Sequence, residues 1–141
     1  MRMIVGILSL AGWLLYVGQL ISALNFGLAQ RLGLQESPDS ADPLLTHLEL
    51  WAARWDLAWL WTLPVAGILM LLNHSLWPYA SLIGGGAFVD AGGREAAKIL
   101  GLRGRGVHTG TQGEHRLAMG VYLYLIAIGA ASIVIGLLEV L

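Results

Sequence analysis

Four long apolar stretches alternate with short polar connectors along this chain. Their hydrophobicity is continuous rather than alternating, which predicts helices and excludes the period-two pattern of strands. The reading places helices at about 3–30, 43–72, 76–102 and 112–140. The organising stretch is Leu50 to Leu72, LWAARWDLAWLWTLPVAGILMLL. It is long enough to cross a bilayer, which takes about 20 residues. Yet it carries Arg54 and Asp56 near its start, and Trp51, Trp55, Trp59 and Trp61 along its length.

In the first helix Ser9, Gly12, Tyr16, Gln19, Ser22 and Phe26 recur at three- and four-residue spacing and share a face. Small and amide side chains on one stripe suit close helix packing in lipid. The apolar run from Met3 to about Ala29 exceeds the roughly 7–15 residues of a signal-peptide core, so it is read as a retained first span. Asp42-Pro43 forms an N-cap with proline at the first helical position, and Thr46-x-x-Glu49 offers a second start for the next helix. Pro64 is expected to kink that helix. The third helix is the weakest: it contains Gly84-Gly85-Gly86 and Gly92-Gly93, then emerges with Asp90, Arg94 and Lys98 in a self-compensating stripe. Thr111-x-x-Glu114 is a capping box opening the last helix. There Tyr122, Gly129 and Gly136 repeat at seven, flanked by Ala118, Ala127, Ala131 and Ser132, as a small-residue packing seam.

Composition sharpens the class. Hydrophobic residues make up 57% of the 141 and charged residues only 12%. Mean hydropathy is +0.70. So little charge cannot cover a water-exposed globule. The expected fold is all-α: a polytopic membrane protein, a single domain built as an antiparallel bundle of four transmembrane helices. A net charge of −1 leaves no nucleic-acid footprint, and the absence of cysteine removes disulfides, thiol catalysis and iron–sulfur ligation.

With four spans, connectors 31–42 and 103–111 share a side. Arg31, Arg54, Arg94, Lys98, Arg103, Arg105 and Arg116 gather there, against Arg2 on the other. The excess of basic residues predicts both connectors in the cytoplasm and both termini outside, in a bacterial inner (plasma) membrane. His47, Glu49, Arg54, Asp56, Asp90, Arg94, Lys98, Glu114, His115 and Arg116 then form one candidate polar cluster at the cytoplasmic leaflet.

Within it Glu49 and Asp56, seven apart, share a face, whereas His47 and Arg54 share another. Arg54 and Asp56 are two apart and cannot pair on one helix, so each needs a partner elsewhere. Asp56 is expected to pair with Arg94 or Arg116, and Arg54 with Asp90 or Glu95. Trp51, Trp55 and Trp59, at i, i+4 and i+8, form either interfacial anchors or a wall for a flat apolar ligand such as a quinone, sterol or porphyrin. The histidines lack i, i+4 ligand spacing, so no metal is assigned, and no cofactor can be named.

The leading functional expectation is a helix-packing binding or assembly subunit, in a homo-oligomer or a larger membrane complex and in contact with the lipid bilayer, pinned by this ion-paired cluster. One alternative is an intramembrane enzyme on a lipid- or quinone-like substrate, with Glu49 and Asp56 as paired carboxylates, His47 or His115 as base, and Arg103, Arg105 and Arg116 holding an anionic headgroup. Another is an oligomeric transporter of ions or solutes using Asp56 and Asp90.

Overall fold

The computed structural model describes all residues from Met1 to Leu141, and its regular elements are all helices. In chain order they are α1 (Arg2–Leu10), α2 (Gly12–Leu24), α3 (Phe26–Arg31), α4 (Pro43–Asp56), α5 (Thr62–Leu71), α6 (Trp77–Gly104) and α7 (Gln112–Val140). The helical segments lie within the four apolar stretches, but two of those stretches are interrupted.

The first is broken at Ala11 and again at Asn25. Asn25 leaves helical space (φ −148°, ψ 85°), and its side chain accepts a hydrogen bond from the Leu28 amide. An asparagine that can cap a following turn competes with the helix that precedes it. The second stretch breaks over 57–61, between α4 and α5. Pro64 lies just beyond: it has no N–H for the Leu60 carbonyl, and its ring crowds the preceding turn. The kink expected there is therefore a full interruption. Within the break the Trp59 carbonyl accepts twice from Thr62, from its amide at 3.0 Å and from its hydroxyl at 2.5 Å.

The third stretch is the reverse case. α6 continues through both glycine runs because Gly84, Gly85 and Gly92 each lie against a neighbouring backbone, while Gly86 and Gly93 face open space. A Cβ at Gly84 would lie 2.6 Å from the Leu63 backbone, and one at Gly85 would lie 2.6 Å from the Gly129 carbonyl. Close backbone approach offsets a helix-propensity cost of about 1 kcal/mol per glycine. At the start of α7 the capping box is formed, and Asp42 caps α4 by accepting from the Leu44 amide at 2.8 Å.

These contacts set the directions. Gly6 meets Gly67, Gly12 meets Pro64, and Gln19 meets Asp56, so α1 and α2 run antiparallel to α5 and α4. Gly136 meets Pro78, Gly129 meets Gly85, and Gly92 meets Tyr122, so α7 runs antiparallel to α6. The core between them holds Leu63, Met70, Phe88 and Ile128. The buried serines Ser9, Ser22, Ser81 and Ser132 each donate to the carbonyl four residues back, so none needs a partner on another helix.

The segments Arg2–Leu24 and Gln112–Val140 are each long and apolar enough to cross a membrane, and α5 is a shorter apolar helix. Large apolar side chains face outward, among them Leu14, Leu24, Leu72, Ile83, Leu123 and Leu138. At one end the connectors on either side of the polar residues touch: Gly110 donates to the Ser40 carbonyl at 2.8 Å and Asp42 to the His108 carbonyl at 2.9 Å. Ala41 and Thr109 form an isolated antiparallel bridge there. Connectors 31–42 and 103–111 thus share one end of the molecule.

Candidate functional site: an acidic cavity beneath the connectors

Below the joined connectors lies a cavity of about 260 Å³, reaching from Gly33–Glu36 down to Leu60 and Leu125. Its polar lining comes from Gln19, Gln35, Glu36, Glu49, Asp56, Glu95, Glu114 and Tyr122. Helix periodicity puts the deepest of these in place. Glu49 and Asp56 lie two turns apart on α4, on the face that also buries Leu45 and Ala53. Glu95 continues the inward stripe of Phe88, Ala91 and Ile99 on α6. The three carboxylate residues are deeply buried, at 7%, 3% and 5% exposure for Glu49, Asp56 and Glu95.

Their partners come from α6 and α2. Arg94 donates to Asp56 Oδ1 at 2.5 Å and to Glu95 at 3.3 Å, and reaches the exposed Asp90 at 3.4 Å. Lys98 Nζ lies 2.8 Å from Glu49 and also pairs with Glu95. Gln19 donates to Asp56 Oδ2 at 3.3 Å, while its Oε1 is buried with no protein partner. Three buried carboxylates therefore share two cations, leaving one formal negative charge without a counterion. An unpaired charge in a low-dielectric interior is costly, so the site favours gaining a proton or a cation.

The roof is a strap of hydrogen bonds centred on Glu114. Its carboxylate accepts from the Thr111 amide at 2.6 Å, from Ser40 Oγ at 3.2 Å and from the Ser37 amide at 3.4 Å. Gln35 donates to Ser22, and Gln30 to the Glu36 carbonyl. Burial beneath this strap pushes the Glu36 carboxyl above the ordinary carboxylate range, against the lowering effects of a backbone hydrogen bond and of Lys98.

The candidate residues divide accordingly. Glu49, Asp56, Arg94 and Lys98 meet at the cavity, and Glu114 closes it. Asp56 is joined to Arg94 rather than to Arg116, which is exposed and makes no ion pair. Arg54 pairs with neither Asp90 nor Glu95; its guanidinium lies 5.1 Å from the ring centre of Trp51. Trp51 in turn donates to His47 at 3.1 Å, on the outside of α4. Half a turn on a helix separates that outer face from the cavity face. His115 Nδ1 is buried without a partner but does not line the cavity. Arg103 and Arg105 point outward.

Trp55 and Trp59 are exposed, with ring centres 6.3 Å apart. They form one wall of a surface groove of about 370 Å³, whose other wall is Ile83, Gly86 and Ala87 of α6.

Sequence reasoning gave Glu95 only the role of a possible partner for Arg54, yet the signal for a buried site residue was present: it falls at i+7 from Phe88 on an otherwise apolar stripe. Glu36 and Gln35 carried no such signal, because a connector has no periodicity to say which side chains turn inward. In comparisons with family models, curated proteins and solved structures, none matches this chain.

Proposed function

We propose that this chain is an integral membrane binding protein whose interior cavity holds a small organic cation. In this reading four antiparallel helical rods cross the bilayer: α1–α2, α4–α5, α6 and α7. The connector end lies at the cytoplasmic leaflet, where the basic residues gather, and both termini lie outside. The outward apolar surface and the two long apolar segments support the membrane placement.

The observation that carries the ligand assignment is the charge imbalance: three buried carboxylates against two cations around a half-open cavity. The three buried carboxylates are not arranged as the ligand cage of a metal ion, whereas the mixed apolar and carboxylate lining suits an ammonium-type ion. A volume of about 260 Å³ exceeds the roughly 150 Å³ that holds a benzene-sized molecule, and limits the ligand to about ten heavy atoms. The glycine seam that could have served self-association is filled by the chain's own α6, which favours binding over assembly.

The test is equilibrium binding of tetramethylammonium to the protein in lipid nanodiscs, with tert-butanol as a neutral counterpart of similar shape. Saturable binding of the cation alone is expected, with affinity lowered about tenfold or more by Glu49→Gln. Equal binding of the two probes overturns the reading.

A further inference from the structure

Asp56 and Leu60 line both the interior cavity and the outer groove of Trp55 and Trp59. The carboxylate at the floor of the cavity is therefore also the inner end of the groove in the lateral surface. Asp90, exposed and on the same groove, stands at its outer end. The groove arises from the break over 57–61, which carries Trp59 outward, and from Gly86, whose missing side chain leaves the facing surface of α6 open: a Cβ there would meet nothing within 4 Å.

Its chemistry is two-sided. Indole faces, Ile83 and Ala87 suit an alkyl chain or ring, and aromatic faces also attract a cation. At the polar end Asp90 joins Asp56 while Arg94 stays the one guanidinium, so the groove adds one negative charge to the interior excess. A quinone or sterol, being neutral, would leave that excess uncompensated, and an anionic headgroup would add to it.

We infer that the site draws its ligand sideways from the lipid phase, and that the ligand is an amphiphilic amine: its ammonium head at Asp56 and Asp90, its apolar body between the Trp55–Trp59 wall and Ile83 and Ala87 of α6. This deepens the cation-binding reading and rests on it for the interior site alone; the groove has its own residues. Asp56 is the shared element. A cationic head arriving along the groove competes with Arg94 for it and gains the cavity behind.

The experiment compares three probes on the full chain in nanodiscs, read by tryptophan emission: decyltrimethylammonium, decanol and tetramethylammonium. Decyltrimethylammonium is expected to bind saturably, about tenfold or more tighter than tetramethylammonium, with no saturable signal from decanol. Gly86→Leu fills the groove with no backbone clash and adds a better helix former, so its thermal midpoint should equal or exceed that of the wild type. It should weaken decyltrimethylammonium about tenfold and leave tetramethylammonium unchanged. Trp59→Ala should weaken the tailed probe as well, which supplies the answer if Gly86→Leu fails to fold. Tailed-probe affinities within about twofold of wild type in the folded variants, or saturable decanol binding of equal strength, overturn lateral uptake. Loss of tetramethylammonium binding in the wild type, with tailed-probe binding still sensitive to Gly86→Leu, overturns the interior site and leaves the groove.

Discussion

Arg94 donates a 2.5 Å hydrogen bond to Asp56, tying α6 to the last residue of α4. The pair matters because neither member is alone. Arg94 also serves Glu95, and Asp56 also accepts from Gln19, so one contact sits inside a network that links three rods.

Charge counting makes the two partners unequal. Arg94→Gln leaves three buried carboxylates with Lys98 as their one cation, and should destabilise the protein by about 3–5 kcal/mol. Asp56→Asn leaves two carboxylates and two cations, a balanced set, and should cost clearly less. Thermal unfolding in detergent checks the order. Equal losses would mean that Asp56 and Arg94 act as an isolated pair.

Gly85 and Gly129 bring the α6 and α7 backbones together, and a Cβ on either meets the other's carbonyl within 2.7 Å. Gly129→Val should therefore cost about 1–3 kcal/mol, even though valine tolerates a helix far better than a clash. Gly120→Ala, where nothing lies within 4 Å, should be neutral or stabilising. Both are read from the thermal midpoint.

Glu114 joins the capping box of α7 to both connectors. Glu114→Ala should raise amide exchange together at 37–41 and 109–111, and cost about 1 kcal/mol as a lost cap does. Faster exchange confined to the first turn of α7 would show that the strap is held elsewhere.

Glu36 gives a pH dependence with a definite sign. Its folded-state value is raised from 4.5 by burial, so the folded chain holds this proton more tightly than the unfolded one. Its contribution is fully present below the unfolded value and is lost as pH rises through the folded one. Glu36→Gln should therefore flatten stability against pH above 4.5 and be the more stable form at neutral pH, as denaturation at several pH values would show.

Single cysteines at Asp39 and Arg105 should be labelled from the same side of a sealed vesicle, because their connectors are hydrogen-bonded to each other through Ser40, Gly110, Asp42 and His108. Labelling from opposite sides would separate the two connectors and dissolve the cavity.

The helical stretches, though not the breaks at Ala11, Asn25 and 57–61, were legible in the sequence for a simple reason. Where apolar residues run unbroken, the chain must satisfy its own backbone, and local hydrogen bonds do that in a helix. Caps were equally local: Asp42, Thr111 and Glu114 act on amides two or three residues away. The shared face of Glu49 and Asp56 followed from periodicity alone. What tertiary structure decided was everything that depends on a neighbour. The glycine runs of α6, ambiguous in isolation, became helix because Leu63 and Gly129 lie against them. Arg94 and Lys98 read as a stripe compensated by Asp90 along one helix; in the fold Arg94 keeps Asp90 at 3.4 Å, but both cations also turn to carboxylates on α4 and to Glu95. Arg54 and His47, equally charged or titratable on paper, fell on the outer face of that same helix. Ionic partners lie across space at no fixed sequence spacing, so a chain can announce that a buried charge needs one without saying which.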